Sequence, residues 1–247
     1  MRLSVFFTPL GVTAADVAER PVLVVDLLRT TTTVVAALGN GARAVVPAAT
    51  ADEALRLAAN LEKDSVLLAG ERRMERIEGF ALGNSPREMT REVVEGKTIV
   101  MATTNGTAAI VAAQAGDPVY VVSATNFSAA VEKARPAFEE RGEIVILCSG
   151  RERRFALEDA YAAGRFAQAL IPGRRRRSAD LNDAAIGALE LVRRYGDKWK
   201  RAISASAAAR NLRQLGFRAD VAAATEVDSY AIVPQYSGRL VTVPDRA

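Results

Sequence analysis

The segment VVDLLRTTTT, residues 24–33, is an apolar run that ends in an aspartate, an arginine and four threonines. The run predicts a buried strand over residues 22–26, and the apolar pattern behind it predicts a helix over residues 31–38. Three other apolar runs end in similar polar turns: LLAGERR (67–73), TIVMATTNGT (98–107) and IVILCSGRERRFALED (144–159). Ligands of open α/β sheets bind outside the carboxyl ends of the strands, so we expect the four turns to face one site.

Strand-like and helix-like patterns alternate along most of the chain, which predicts a layered α/β domain with a mostly parallel or mixed sheet. The other predicted strands cover residues 3–7, 44–46, 66–69, 98–102, 119–123 and 144–148. The other predicted helices cover residues 52–61, 107–115, 128–140 and 158–170. Several strands are apolar without alternation, as expected when helices cover both faces of a sheet. We predict a single domain over residues 1–247, because no linker or repeat interrupts the pattern.

The segment 173–216 has successive helical patterns and no convincing strand, so we predict a helical excursion from the sheet there. The candidate helix ends are Asp180 and Ser204 or Ser206 as N-caps, and Gly216 as the residue after a C-cap. Residues 220–243 regain short extended runs broken by proline and glycine. These runs predict a hairpin at the edge of the sheet.

The chain has no histidine and one cysteine, Cys148. These counts exclude Ser-His-Asp catalysis, His-ligated zinc or iron sites and an internal disulfide framework. Acid–base chemistry therefore falls to carboxylates, Lys, Tyr or metal-bound water. A metal would be held by oxygen ligands, which favours Mg²⁺ or Mn²⁺.

The net charge of +4 would modestly favour anionic ligands, and much of the excess lies in the arginine run 174–177. No aromatic residues interleave this run and no nucleic-acid-binding motif accompanies it, so we expect a solvated loop or a subunit contact and no nucleic acid partner. No segment has the pattern of a membrane span or a signal peptide, so we expect a cytoplasmic protein. A homodimer is expected, because small enzymes favour two-fold symmetry.

Asp26 and Arg29 are the first candidate functional residues. A carboxylate at a strand end can hold Mg²⁺, and an arginine beside it can bind two phosphate oxygens. The following threonines, including Thr31 and Thr32, offer donors at a helix start. The structural alternative is a solvated strand end and a helix cap. A haloacid-dehalogenase phosphatase is excluded, because its Asp-x-Asp motif would need an aspartate where Leu28 stands.

Residues 103–107 form the densest group of hydrogen-bond donors in the sequence. Gly106 would allow a positive φ or a close approach of a ligand to the backbone. The structural alternative is an Asn-Gly turn that Thr107 follows as an N-cap. The candidate anion-binding residues are Thr103, Thr104, Asn105, Gly106 and Thr107.

Two further acidic positions are candidate metal sites. Glu71 is a possible ligand or base and Arg72 a possible anion clamp, unless the two form only a surface ion pair. Glu158 and Asp159 begin a predicted helix, where they either stabilise its positive end or bind metal. Ser85 precedes a proline and also fits an N-cap with proline at the first helical position.

Cys148 and Arg154 have the Cys-x5-Arg spacing of cysteine phosphatases. One glycine in the loop and no preceding histidine make this a weak signal, because the thiolate would need strong activation. A strand-end cysteine is more often a small core residue. A metal-free cysteine phosphatase is therefore the second enzyme hypothesis. A non-catalytic binder of phosphorylated ligands or nucleic acid is the third.

The order of these motifs resembles the 2-phosphosulfolactate phosphatase (ComB) family over about two-thirds of the chain. The residues that carry the resemblance are 25–33, 70–72, 83–86, 103–107, Asn126, 148–150 and 157–159, with 220–221 and 233–234 in the tail. The resemblance implies a three-layer α/β/α fold and Mg²⁺-dependent hydrolysis of (R)-2-phospho-3-sulfolactate to 3-sulfolactate and phosphate, a step of coenzyme M synthesis.

The resemblance also adds Asn84, Ser85, Asn126 and Gly150 to the candidate substrate-binding residues. Mg²⁺ is expected on Asp26 with one or two of Glu71, Glu158 and Asp159. Two positions depart from the family pattern: Thr30 stands where a smaller residue is expected, and residues 151–154 are arginine-rich where glycine is typical. The first departure would narrow the pocket, and the second would change the substrate preference.

Overall fold

The computed structural model describes residues 1–171, 173 and 178–244, and strands and helices alternate along much of this part of the chain. The strands are β1 (Arg2–Phe6), β2 (Val22–Val25), β3 (Ala44–Ala48), β4 (Val66–Arg72), β5 (Glu75–Arg76), β6 (Thr98–Ala102), β7 (Val119–Val122), β8 (Glu143–Cys148), β9 (Asp180–Leu181), β10 (Gln235–Ser237) and β11 (Leu240–Thr242). The helices are α1 (Ala14–Val17), α2 (Thr30–Gly39), α3 (Ala51–Ala59), α4 (Arg91–Val94), α5 (Gly106–Ala112), α6 (Phe127–Arg141), α7 (Leu157–Leu170), α8 (Asp183–Tyr195), α9 (Trp199–Ser204), α10 (Ala207–Gln214) and α11 (Arg218–Ala223).

The strands form one mixed sheet in the order β5-β4-β6-β3-β11-β10-β7-β2-β8-β1-β9. Two groups of parallel neighbours, β4-β6-β3 and β7-β2-β8-β1-β9, are joined by the antiparallel hairpin β10–β11. The hairpin pairs with β7 through Gln235 and Tyr120 and with β3 through Val241 and Val45. The prediction of an edge hairpin is therefore wrong. Both outer sides of the hairpin find backbone partners, which leaves neither exposed as an edge.

Helices cover both faces of the sheet, which confirms the predicted three-layer α/β/α architecture. Alternate residues of β2 show how the layers arise. Leu23 and Val25 belong to the core with α6, α7 and α8, whereas Val22 and Val24 belong to the opposite core with α2 and α5. Because both faces of this strand are buried, its sequence is apolar throughout.

The helical excursion is confirmed for residues 183–214, which form α8, α9 and α10. Its start differs from the prediction, because β9 pairs with β1 before the first helix begins. Asn182, and not Asp180, is the N-cap of α8, and its side chain accepts from the Ala185 N–H at 3.0 Å. Ser206 caps α10 as predicted, and Gly216 follows its C-cap with a φ of +88°. The arginine run 174–177 lies outside the described residues.

The predicted strands and helices match the described ones closely, and their ends mostly differ by one or two residues. The largest strand difference is at β4, which continues to Arg72 and not to residue 69. This extension matters for the site, because it fixes which side chains of the turn face which side of the sheet. Within the described ranges, no helix combines the length and the apolar character that crossing a membrane requires.

Candidate functional site

A cavity of about 410 Å³ opens where the chain leaves β2, β4, β6 and β8. All four polar turns contribute to its lining. Its acidic lining residues are Asp26, Glu71, Glu152, Glu158 and Asp159. Its basic lining residues are Arg29, Arg73 and Arg151. A second part of the lining comes from Ala208, Asn211, Gln214 and Leu215; we call α10 and α11 the helical wall.

Asp26 lies directly after β2 and is only 5% exposed. Burial raises the pKa of Asp26 to about 7; hydrogen bonding by Thr30 opposes this rise, and the charges of Glu71 and Glu158 add to it. Carboxylates with raised pKa values in a cleft are typical of functional sites. Asp26 can therefore exchange a proton near neutral pH, or it can remain charged if a cation lies beside it.

Gly106 begins α5 and packs directly against Asp26. A Cβ atom at this position would lie 2.2 Å from Asp26 Oδ2 and 2.3 Å from Thr30 Oγ1. No other residue type fits there without displacing the carboxylate. The glycine thus allows the turn after β6 to close on the turn after β2, and the approach it permits is to a side chain of this protein.

The threonines after β2 fall into two groups. Thr30 lines the cavity, donates to Thr103 Oγ1 at 3.2 Å and accepts from Asn84 Nδ2 at 3.3 Å. Thr31 and Thr32 are buried beneath it and do not line the cavity. The Thr31 hydroxyl bonds both the N–H and the C=O of Asp26, and the Thr32 hydroxyl donates to Leu27 O. The pattern of four threonines in the sequence did not separate these roles.

The turn after β6 shows the same division. Thr104 and Asn105 line the cavity. Thr103 and Thr107 are buried and hydrogen bond to each other, with the Thr107 N–H donating to Thr103 Oγ1 at 3.0 Å. Asn105 Oδ1 accepts from the Glu152 N–H at 2.9 Å and so joins the turns after β6 and β8. We call residues 26–32 and 103–107 together the cavity floor.

Glu71 is buried, and both of its oxygens accept backbone hydrogen bonds. Oε1 accepts from the Thr104 N–H at 2.6 Å, and Oε2 accepts from the Met74 N–H at 2.7 Å. Arg72 is the next residue of β4 and is exposed outside the cavity, as the alternation of a strand requires. Arg73 follows the strand with a φ of +54° and lines the cavity. The arginine of this turn that lines the cavity is therefore Arg73 and not Arg72.

Asp159 and Glu158 reach the cavity from the first turn of α7. Asp159 accepts from the Leu27 N–H at 2.9 Å, the Gly150 N–H at 3.2 Å and the Ser149 hydroxyl at 3.1 Å. Burial raises the pKa of Asp159 well above its usual range, and the nearby carboxylates add to the shift. Burial also raises the pKa of Glu158, although its own backbone N–H, Ser206 and Arg151 oppose this. Gly150 has a φ of +61° and its backbone is packed against Arg154 O, so only glycine fits.

Arg29 is buried at the cavity and held by residues far away in the sequence. Its Nη1 donates to Asp220 Oδ2 and its Nη2 to Met74 O, each at 2.8 Å. The Ser85 hydroxyl donates to the other oxygen of Asp220 at 2.8 Å. Ser85 does not line the cavity, where it was expected to bind substrate. It is also not an N-cap, the alternative considered for it: residues 86–88 form a turn, and the next helix starts after Thr90. The serine instead fixes the carboxylate that holds Arg29.

Two asparagines were expected to bind substrate, and they lie in different places. Asn84 lines the cavity, and its Oδ1 is buried without a partner among the described residues. Asn126 is fully buried away from the cavity, where Oδ1 accepts from the Ser123 N–H and Nδ2 donates to Ile232 O. Asn126 thus joins β7 to the C-terminal segment.

Cys148 is fully buried at the end of β8 and does not line the cavity. Burial raises the pKa of its thiol well above the usual range, and the charges of Asp159, Glu158 and Asp26 add to the shift. Arg154 is exposed and lies outside the cavity lining. This environment keeps the sulfur protonated, whereas nucleophilic cysteines need a lowered pKa.

Arg73 and Asn211 were not among the candidate site residues, and Asp220 was named only in the tail of the family resemblance. Asn211 is a single polar residue in a helical pattern, and such residues are far more often solvent-facing than functional. Asp220 stood at the start of the predicted extended tail, whereas it lies in the helix α11. The sequence did not show whether Arg72 or Arg73 faces the cavity, because this depends on where β4 ends. No spacing rule within the sequence identifies these contacts.

The donors around the cavity match the preferences of a hard divalent cation. Asp26 and Glu158 supply carboxylate oxygens, and Asn84 Oδ1 is a buried acceptor without a donor. In the described residues no three acidic or sulfur-containing side chains already stand together as a complete metal site. Mg²⁺ commonly uses only one or two carboxylates, and water and substrate phosphate complete its coordination. These residues therefore fit Mg²⁺.

Comparisons with known proteins identify the family of this chain. A family model described as 2-phosphosulpholactate phosphatase matches residues 6–239. The chain is 34% identical over 241 residues to a probable 2-phosphosulfolactate phosphatase of Caldanaerobacter subterraneus, which covers 98% of both chains. It is 41% identical over 221 residues to a protein with the same description from Thermus thermophilus, which covers 89% of both chains. A third such protein, from Thermotoga petrophila, is 37% identical over 215 residues and covers 87% of this chain and 88% of its own.

Proposed function

The chain belongs to the 2-phosphosulfolactate phosphatase family, and from this membership and the cavity we propose that it is a Mg²⁺-dependent phosphoric monoester hydrolase. The proposed substrate is (R)-2-phospho-3-sulfolactate, and the products are 3-sulfolactate and phosphate. In the family this reaction serves coenzyme M synthesis, and that pathway is part of the proposal. The family and the names of the relatives support the substrate, and the donor set of the cavity supports the cation.

One observation carries the proposal: a buried carboxylate with a raised pKa, Asp26, lies among arginines and a turn rich in N–H and O–H donors. A phosphate ester needs positive charge and donors around its oxygens. It also needs a carboxylate that can take a proton from the attacking water or attack phosphorus directly. The cavity contains both, and a volume of about 410 Å³ suits a small metabolite.

We assign the residues as follows. Asp26 and Glu158 hold Mg²⁺, with Asn84 Oδ1 as a further oxygen donor. Arg29 and the Thr104–Asn105 backbone hold the phosphoryl group that is transferred. Arg73 and Arg151 hold the anionic groups that stay on the product. Glu71 and Asp159 position the turns, since their oxygens already accept backbone N–H groups.

When bound, Mg²⁺ would neutralise charge on the phosphoryl oxygens and on the carboxylates around it. Asp26 has two possible roles in the reaction. It accepts a proton from an attacking water while the bond between phosphorus and the ester oxygen breaks, or it attacks phosphorus itself, displaces the same ester oxygen and forms an aspartyl phosphate that water then hydrolyses. In either route 3-sulfolactate leaves through that oxygen, which takes up a proton from water. In both routes, Arg29 offers N–H donors to charge that develops on the phosphoryl oxygens.

The cysteine phosphatase hypothesis is disfavoured by the position of Cys148. A nucleophile must contact phosphorus, and this sulfur does not line the cavity. Burial, with the charges of three nearby carboxylates added, raises the pKa of its thiol. The binding-protein hypothesis placed the arginine run 174–177 at the contact, and this run lies outside the described residues. The cavity gives a more specific hypothesis, because its acidic residues would repel a nucleic acid backbone.

The test is the release of phosphate from 2-phospho-3-sulfolactate and from phospholactate, each with Mg²⁺ and with EDTA. We expect metal-dependent turnover that prefers the ester with the sulfonate. Turnover that persists in EDTA would contradict the role of Mg²⁺ and return attention to Cys148. No release from either ester would contradict the proposed activity.

A further inference from the structure

The helical wall reaches into the cavity from the part of the chain with the fewest motifs. Asn211 and Leu215 line the cavity from α10 and the residue after it, and Asp220 contacts a cavity arginine from α11. These helices could be explained as packing alone. Their polar contacts with Arg29 and Arg151 suggest a more specific role.

Arg29 is fixed by three contacts from two separate parts of the chain, residues 217–220 and Met74. Its ion pair with Asp220 is 2.8 Å long, and the two side chains are only 3% and 4% exposed. Met74 O accepts a second guanidinium N–H, and the Phe217 ring lies 4.5 Å from the guanidinium carbon. Only two of the five N–H donors of Arg29 are used in these two bonds. The contacts therefore fix the direction of the guanidinium and leave donors for a ligand.

Asp220 is held as firmly as the arginine that it binds. One of its oxygens accepts from Arg29 and the other accepts from the Ser85 hydroxyl at 2.8 Å. Without the carboxylate, Arg29 would be a buried charge without compensation, and its side chain would have to move. Asp220 thus makes it possible to keep a cation in this position before a ligand arrives.

Arg151 is held in a different way. The Asn211 amide oxygen accepts from both terminal nitrogens of Arg151, at 2.8 and 3.0 Å, in the amide orientation that also lets Asn211 donate to Ala207 O. The side chain of Arg151 is 28% exposed, and Glu152 lies 3.9 Å away with a side chain that is 70% exposed. Asn211 is neutral, so it orients Arg151 without offsetting its charge. Apart from the exposed carboxylate of Glu152 and the nearby Glu158, the charge of Arg151 is therefore available to an anion.

We propose that the helical wall orients the two arginines for two different anionic groups of one ligand. Asp220 positions Arg29 for the phosphoryl group that is transferred, and Asn211 positions Arg151 for an anionic group that stays on the product. The inference rests on the proposed function for the identity of these groups. The orienting contacts themselves do not depend on it.

The experiment compares Asp220→Asn and Asn211→Ala with the control Asp228→Asn. Asp228 also belongs to the C-terminal segment and accepts two hydrogen bonds from Ser128, but it is exposed and lies away from the cavity. Calorimetry measures the affinity of each variant for inorganic phosphate and for 3-sulfolactate, with Mg²⁺ present. Steady-state kinetics with 2-phospho-3-sulfolactate and phospholactate then gives kcat and KM.

For Asp220→Asn we expect phosphate affinity to fall at least about 10-fold and kcat to fall about 100-fold on both esters, on the scale of a lost phosphate-orienting contact. For Asn211→Ala we expect KM to rise about 10-fold with kcat within about twofold, as for a contact equal in ground and transition states. A rise in KM limited to the sulfonate ester would place Arg151 at the sulfonate, and a rise on both esters would place it at the carboxylate. Asp228→Asn should match the wild type.

Ser85→Ala tests the same contact with a milder change, in case Asp220→Asn does not fold. Ser85→Ala keeps the ion pair between Arg29 and Asp220 but removes the hydrogen bond to the other carboxylate oxygen. We therefore expect phosphate affinity and kcat to fall as in Asp220→Asn, by about a tenth as much. Equal losses of kcat in Asp220→Asn and Asn211→Ala, or unchanged phosphate affinity in Asp220→Asn and Ser85→Ala, would overturn the inference. If the wild type hydrolyses neither ester, the proposed function fails, and the phosphate affinities still decide whether Asp220 positions Arg29.

Discussion

The cavity floor and the helical wall hold their polar side chains by contacts of very different sequence separation. In the floor, Thr31 and Thr32 hydrogen bond to backbone atoms five residues earlier, and Thr107 bonds Thr103 four residues earlier. In the wall, Asp220 holds Arg29 across 191 positions. Contacts within one turn follow from local spacing, whereas contacts between distant elements depend on how the layers pack. The hydrogen bonds within each turn of the floor are therefore visible in the sequence, whereas the wall and the contacts that join the two turns, such as Thr30 with Thr103, are not.

The largest effect on activity is expected for Asp26→Asn, in the cavity floor, and we expect this variant to change activity and stability in opposite directions. Asp26→Asn should lower kcat by about 10³-fold or more, because either route needs its carboxylate. The same variant should unfold a few degrees higher without metal, because burial of this charge costs stability. Phosphate release and thermal unfolding in EDTA measure the two effects. A lower unfolding temperature for Asp26→Asn would show that the buried carboxylate stabilises the cavity floor and does not cost stability.

The pH dependence of this effect follows from the pKa of Asp26. The folded value of about 7 lies above the value of 3.8 expected in an unfolded chain, so the folded state binds more protons between these limits. The metal-free protein should therefore lose stability as the pH rises from about 4 to about 7. Thermal unfolding in EDTA at pH 5.5 and pH 8 should show this loss in the wild type and a smaller one in Asp26→Asn. An equal loss of stability between pH 5.5 and pH 8 in both proteins would contradict the raised pKa of Asp26.

Gly106→Ala tests the joint between the two turns of the floor. The added Cβ would overlap Asp26 Oδ2 and Thr30, so we expect kcat/KM to fall about 100-fold as the carboxylate moves. Gly187→Ala is the matched control, since its Cβ would only touch Phe7 at 3.9 Å and the residue lies within α8. The control should keep full activity and gain up to about 1 kcal/mol of stability. Equal activity in both variants would refute the close packing.

Thr31→Val tests whether the buried threonines are structural. Valine keeps the shape of the side chain but leaves the Asp26 N–H without its hydroxyl partner, so we expect a loss of about 1–3 kcal/mol in the free energy of unfolding. Thr225→Val, at a more exposed hydroxyl bonded to Ala222 O, should change stability by less than about 0.5 kcal/mol. Denaturant unfolding compares them. Similar small losses would mean that Thr31 does little to hold the floor.

The smallest effect on activity is expected for Arg72→Ala, and the neighbouring variant Arg73→Ala should have a larger one. Arg72→Ala should change kcat/KM by less than about twofold, because its side chain lies outside the cavity. Arg73→Ala should raise KM about 10-fold, because its guanidinium is assigned to an anionic group of the substrate. The same kinetic assay measures both variants. A larger effect in Arg72→Ala than in Arg73→Ala would show that Arg72, and not Arg73, faces the cavity.

The sequence alone determined the layered α/β fold, the strand ends that carry the site, and the position of Asp26 directly after a strand. Apolar runs, helical periodicity and polar turns are local signals, and β2 and α2 follow from them directly. Its limits appear at particular residues. Thr30 faces the cavity while Thr31 is buried, and Arg73 lines the cavity while Arg72 does not, because a single residue of rotation or strand extension reverses a side chain.

Only the tertiary structure decided the position of the hairpin β10–β11, the burial of Cys148 and the pairing of Arg29 with Asp220. Each depends on which distant elements come together, and many arrangements share the same local patterns. The raised pKa of Asp26 has the same origin, because an aspartate after a strand is ordinary until Gly106, Glu71 and Glu158 close around it. Local physics placed the polar residues at the ends of the strands, and packing between layers gave each of them its role.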